Sequence, residues 1–303
     1  MEAKLNTNKI KEEKILSPTR IVWNRLKKNK LAIVGLGILV FMLLFAIVGP
    51  YISPYKMDTL DLVNISAAPS IHHWLGTDEV GRDSFARLMY AGRISLAVGF
   101  FAVIVEIVLG SILGAIAGFY GGLIDSIIMR IVDIFLCIPF LPILMALGAL
   151  MSDLKVRPEN KMFVVMFIIG ALSWPGLCRL VRAQILSLRE QEFMQAAEAL
   201  GLKDSRKILR HLLPNTLASI IVTATLGIGG AILTESTLSF LGLGVTPPTP
   251  SWGTLIQSVQ NMYVLQYQPW NWIPPGVCIL LTVVAINLLG DGLRDAIDPK
   301  LKK

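Results

Sequence analysis

Six apolar runs, at residues 31–48, 94–118, 127–150, 162–181, 216–240 and 273–290, constrain this chain more than any other feature. Each comes near or exceeds the roughly 20 residues that carry a helix through the hydrocarbon core of a bilayer. Hydrocarbon offers a backbone no water, so a spanning segment must satisfy its own N–H and C=O groups, and a single segment does this only as a helix. The pattern therefore predicts an all-α, polytopic membrane protein with six transmembrane helices. With 54% of 303 residues hydrophobic and a mean hydropathy of +0.64, the chain is too apolar for an ordinary soluble domain.

The net charge of +7 raises the question of nucleic acid, but the basic residues sit where membrane topology needs them. Lys4, Lys9, Lys11, Lys14, Arg20, Arg25, Lys27, Lys28 and Lys30 precede the first run, and segment 241–272 holds no Lys or Arg. In segment 49–93, Lys56, Arg82, Arg87 and Arg93 are offset by Asp78, Glu79 and Asp83. An even number of spans puts both termini on one side, and the bias makes that side cytoplasmic. Nucleic acid is thereby set aside as a partner; the lipid bilayer takes its place. The first run follows a basic stretch as a secretory signal would, but Gly49-Pro50-Tyr51 lacks a small-residue cleavage pattern, so an uncleaved span is expected. The expected division is a cytoplasmic segment 1–30, a first transmembrane helix 31–50, an extracytoplasmic segment 51–93, a core of five helices over 94–291, and a cytoplasmic tail 292–303.

One polar interruption stands out, EFMQAAEALGLKDSRKILRHLLPN, beginning at Glu192. Ala196, Ala197 and Leu200 give one apolar stripe of a short helix that Gly201 can end in the left-handed conformation. Asp204 can cap a second helix carrying Ile208, Leu209 and Leu212, which Pro214 is expected to stop. Small side chains on such an element permit close approach by a partner outside the chain.

Within the runs, Gly110, Gly114 and Gly118 recur one helical turn apart, a face on which helices pack closely. Glu106 stands alone in the same run, and two readings stand open: a carboxylate lining a pathway, or one satisfied between helices. Arg130 and Asp133, three residues apart with Asp125 nearby, are expected to neutralise one another. Pro139 and Pro142 should bend the third run, either as fixed shape or as a flexible wall of a passage, and Trp174-Pro175-Gly176 the fourth. Glu235 has Thr234, Ser236, Thr237 and Ser239 around it as hydrogen-bond donors. Asp78, Arg82 and Asp83 suit a local ion-pair and capping network, with substrate contact as the other reading, while Trp252, Trp270 and Trp272 suit an interfacial belt or else a wall facing a docking protein.

No phosphate loop, zinc-protease helix or nucleophile elbow occurs, the three cysteines lack metal-ligand spacing, and no catalytic, cofactor or metal residue is assigned. An intramembrane enzyme would have only Glu106, Asp125, Asp133 or Glu235 to draw on. A self-sufficient secondary transporter should show inverted repeats, which are not found.

The loop resembles the coupling motif of ABC importer permeases: Glu-Ala-Ala, three residues, Gly, nine residues, Ile, any residue, Leu-Pro. Here Gln195-Ala196-Ala197, Gly201 and Leu213-Pro214 keep that spacing, with Gln195 in place of Glu and His211 in place of Ile. The stretches LGTDEVGRDSFARLMYAGRISLAVG (75–99), MRIVDIFLCIP (129–139), TESTLSFLGLGVTPPTPSWGTLI (234–256) and NLLGDGLRDAIDPKL (287–301) are similar to the C-type permease of the dipeptide, oligopeptide and nickel importer family. The resemblance implies a type I ABC importer permease fold in the cell's inner membrane. It implies a non-catalytic subunit that pairs with a homologous permease, two ATPase subunits and an extracytoplasmic solute-binding protein. Gln195, Ala196, Ala197, Gly201, Leu213 and Pro214 would then couple to the ATPase, while Glu106, Pro139 and Pro142 are the candidates for the translocation path. Dipeptides or oligopeptides are the expected cargo, with nickel or another small solute as the alternative.

Overall fold

The computed structural model describes residues 18–297; positions 1–17 and 298–303 of the two terminal segments lie outside the described residues. A short helix α1 (Pro18–Leu26) precedes the first apolar helix α2 (Lys30–Ile47), whose start is capped by Asn29 accepting from the amides of Leu31 and Ala32. α3 (Gly49–Ile52) leads into an irregular segment, and α4 (Ser84–Tyr120) follows. α5 (Gly122–Cys137) and α6 (Phe140–Asp153) come next, then α7 (Pro158–Arg189) and α8 (Glu192–Ala199). α9 (Asp204–Arg206) passes through a wide π turn (Lys207–Leu212) into α10 (Leu213–Phe240). α11 (Trp252–Ile256), a 3-10 turn (Gln257–Gln260), α12 (Met262–Tyr267) and α13 (Pro269–Ile297) complete the order. Among the described residues the only β pairing is two isolated bridges, Leu60 with Arg82 and Thr77 with Asp83.

Five helices are long and apolar enough to cross a bilayer; α5 and α6, bent by 83° at their junction, pass the same test only as a pair and make a sixth crossing if they form one broken span. Ile138 is extended and Pro139 opens α6, so the chain turns there, while Pro142 lies in the first turn of α6, where its missing N–H costs no hydrogen bond. α4 is longer than its apolar run: it starts at Ser84, capped by Asp83 through a 2.7 Å bond to the Ala86 amide, and its 37 residues reach about 55 Å. That exceeds a hydrocarbon core of about 30 Å, so one end stands in the folded segment before it.

The close pair in the bundle is α4 against α7, and the glycine column makes it. A Cβ added at Gly110 would lie 2.8 Å from Leu177 Cβ, at Gly114 2.6 Å from the Cys178 carbonyl, and at Gly118 2.9 Å from the Arg182 carbonyl. Without a hydrophobic drive between helices in lipid, such van der Waals contact is the main source of association. α2 meets α13 in the same way, Gly35 facing the Ala285 carbonyl.

Two expectations need correction, one on ion pairing and one on burial. Asp133 pairs with Arg179 and Asp125 with Arg182, both on α7, so the charges of α5 are neutralised between helices and not by Arg130. The spacing of Arg130 and Asp133 permits their contact, but the rotation of α5 aims both acids at α7. Trp252 is wholly buried, its ring nitrogen donating to the Leu88 carbonyl at 3.2 Å; it is core and not interfacial belt, because the 241–268 segment folds back onto α4. Trp270 and Trp272 are half-buried. The expected network at 78–83 is present, Asp78 binding Arg82 at 2.7 Å. Beside it the buried His73 bridges Asp83 at 2.8 Å and Asp61 at 3.4 Å. Hydrogen bonding from the Asn64 amide, above all, holds the Asp61 carboxyl below its ordinary range.

Gly114→Val should drive apart α4 and α7 and cost about 1–3 kcal/mol by overpacking. Gly37→Val, where an added Cβ meets nothing within 4 Å, should leave stability unchanged. Thermal unfolding of the purified protein in detergent checks both.

Candidate functional site

The polar loop packs across one mouth of the bundle, α8 as a separate helix and the stretch from Asp204 continuous with α10. Met194 and Ala197 of α8 turn inward, and Met194 packs with Leu212 and with Val181 and Ile185 of α7. Gln195, Ala196, Ala199 and Leu200 turn outward, Leu200 being 79% exposed. The expected stripe is therefore split: Ala197 holds the loop to the bundle, and Ala196 and Leu200 face away from it. α8 ends in a double-bonded reversal, with the Leu202 amide donating to Ala197 at 3.1 Å and the Gly201 amide to Glu198 at 2.9 Å. Gly201 has φ +67°, the left-handed conformation expected of it, and no neighbour crowds it.

Beyond the turn the structure corrects two expectations. Asp204 is not a cap; it lies in the first turn of α9 and pairs with Lys207 at 3.0 Å. Pro214 does not stop the helix, because the chain stays helical from Asp204 through Phe240. A proline ring in a regular helix presses on the carbonyl four residues back, and the wider π turn at 207–212 relieves that contact. The Asn215 side chain then supplies a donor to the His211 carbonyl at 2.6 Å. Leu213 is half-buried and Pro214 exposed.

Deeper in the bundle, Glu106 opens onto a cavity of about 250 Å³ between α4, α6, α7 and α10. Ser173, Phe140, Gly227, Gly230 and Thr234 share its wall. Pro139 and Pro142 do not line it; they are exposed, and the bend at Pro139 carries Phe140 to the cavity. The second acid in the bundle has a different setting. Glu235 is fully buried and accepts from Ser239 at 2.7 Å, Ser95 at 3.2 Å and Ser236 at 3.4 Å. Thr234 and Thr237 instead donate to carbonyls of their own helix. Ser95 also accepts from the Trp252 amide at 3.1 Å, so Glu235 ties α4, α10 and the 241–268 segment together. Sequence reasoning missed Ser95 and did not join Trp252 to Glu235, from which they lie 140 and 17 positions away; the structure shows Ser251 and Thr254 closing a capping box at the start of α11, a local pattern that could have signalled an ordered turn.

The arrangement is a multi-pass helical bundle with a helical loop seated across one mouth. Residues 110–303 match the family of binding-protein-dependent transport system inner membrane components, and residues 17–69 match the N-terminal transmembrane domain of oligopeptide transport permease C. The chain is similar to a dipeptide transport system permease protein of Alkalihalophilus pseudofirmus, 44% identical over 95% of this chain and 91% of that protein. It is also similar to an oligopeptide transport system permease protein of Bacillus subtilis, 41% identical over 96% and 94%. A glutathione transport system permease protein of Escherichia coli is 38% identical over 97% and 94%. The chain belongs to the family of binding-protein-dependent inner membrane components: it is a permease subunit of an ABC importer, with the type I fold.

Replacing Glu235 by Ala should leave the hydroxyls of Ser95 and Ser239 without their acceptor and destabilise the protein by about 1–3 kcal/mol. Thr237→Ala, at an exposed hydroxyl, should stay within about 0.5 kcal/mol of the unchanged protein. Paired thermal melts of the purified subunit measure the difference.

Proposed function

We propose that this chain forms, with a homologous permease subunit, the membrane path for dipeptides or oligopeptides. An extracytoplasmic solute-binding protein delivers the cargo, and two separate ATPase subunits supply the energy, so that this subunit itself catalyses nothing. The observation that carries the coupling role is the exposed apolar surface of the 192–214 loop: Ala196, Ala199 and Leu200 at α8, and Leu209 beyond the Gly201 turn, on the stretch that runs into α10 without a break in helix. Gln195 stands on the same outward side, Ala197 and Leu213 brace it from beneath, and Gly201 and Pro214 set its turns. ATP-driven movement of a partner seated on α8 would pass through the packing of Met194 with Leu212 into α10.

Cargo is read from the relatives, whose names specify dipeptides, oligopeptides and glutathione; those names give the nickel alternative no support. Orientation is read from charge: Lys203, Arg206, Lys207 and Arg210 favour a cytoplasmic side for the loop and both termini, and with it an extracytoplasmic side for the 51–93 and 241–272 segments. The proposed organisation keeps 1–30 and 292–303 as cytoplasmic segments, 31–50 as the first transmembrane helix, and 94–291 as the core.

Leu200→Glu places a charge on the contact surface without touching the loop's own packing. Gly201→Val adds about 1–2 kcal/mol of backbone strain at positive φ and re-aims the second helix. Both variants should insert and pair with the homologous permease, yet lose ATPase co-purification and peptide uptake in vesicles. Normal ATPase recovery with full uptake in both would defeat the coupling role.

A further inference from the structure

Glu106 differs from Glu235, Asp125 and Asp133 in having no partner among the described residues. Glu235 is met by three serine hydroxyls, and Asp125 and Asp133 each by an arginine, whereas among the described residues Glu106 makes no hydrogen bond or ion pair. Its carboxylate faces an open volume instead. The rest of the wall offers acceptors only. Ser173 donates its proton to the Ile169 carbonyl at 2.7 Å and Thr234 to the Gly230 carbonyl at 2.8 Å, which leaves their oxygen lone pairs for whatever enters. No Lys or Arg lines the cavity.

The glycines keep the space free. A Cβ at Gly227 would stand 3.2 Å from Glu106 Oε2, and one at Gly230 meets nothing within 4 Å. A carboxylate and two acceptor hydroxyls match the three donors of an ammonium group. They are too few to replace the six to eight oxygens that calcium takes, and they repel an anion. At about 250 Å³ the cavity falls below the roughly 300–1,000 Å³ of sites that enclose a whole small-molecule ligand, so it suits one end of a longer one. We infer that this cavity binds an ammonium group, and that in the assembled importer the group is the amino terminus of a peptide in transit; the second part rests on the peptide reading proposed above.

The test uses the complete importer in membrane vesicles, in a Cys137→Ser background because Cys178 and Cys278 are buried. Gly230→Cys reports from the wall, through its rates with a trimethylammonium and a sulfonate methanethiosulfonate. The cation-to-anion rate ratio should fall about tenfold when Glu106→Gln removes the charge, and be retained with Glu106→Asp. In vesicles without the reporter cysteine, Glu106→Gln should lower uptake of a free-amine dipeptide about tenfold while the permease pair and ATPases still co-purify. An unchanged rate ratio overturns the ammonium site, and a changed ratio with full dipeptide uptake overturns its assignment to cargo. If the unmutated importer takes up no dipeptide, the peptide reading falls, and the reagent ratio alone still judges the cation site.

Discussion

The contact on which the remainder of this bundle depends is the close approach of α4 to α7. Lipid tails are as apolar as leucine, so burying side chains between helices gains little, and surface fit must hold the pair. Gly110, Gly114 and Gly118 bring α4 against the backbone of α7 at Cys178 and Arg182, and Gly170 of α7 returns the contact against Ala102 and Val105. Two features follow from that docking. At one end it aligns Val181 and Ile185 as the floor on which Met194 and Leu212 seat the loop. Midway it sets Ser173 beside Glu106, so that the cavity is a product of the same packing.

α10 connects these places. Counted from Asp204, its helix is 37 residues long, about 55 Å, with Leu209 exposed at the loop end and Glu235 clamped at the other. Gly227 and Gly230, between them, pass the cavity. A displacement at Leu209 would travel along one helix to the cavity wall and the serine cluster around Glu235, whereas one at α8 would reach that helix through the Gly201 turn and the packing of Met194 with Leu212. The π turn at 207–212 lies where α10 leaves the loop, and it lets Pro214 sit inside a helix that would otherwise break there.

Much of this was legible in the sequence because it is dictated locally. Hydrocarbon forces apolar runs into helices, four-residue glycine spacing marks a packing face, and Gly201 in a loop between helical stripes points to a left-handed turn. What escaped depends on the relative rotation of elements. Asp125 and Asp133 could have met Arg130 by spacing alone, but the facing of α5 toward α7 selected Arg182 and Arg179. Trp252 looks interfacial in a Pro- and Trp-rich segment until that segment folds inward onto Ser95 and Leu88. Pro214 carries a strong local stop signal that a widened turn overrides. Within the candidate site, spacing located the loop, yet only coordinates separate inward Ala197 from outward Ala196.

The central claim is that the outward face of the loop is where the energy-supplying partner sits. Site-specific photo-crosslinking measures this directly, with a photoreactive residue placed at Leu200 or at Met194 in the assembled importer. The account predicts an adduct with an ATPase subunit from the exposed position 200 and none from the buried position 194. Equal yields from both positions, or no ATPase adduct from position 200, would contradict it.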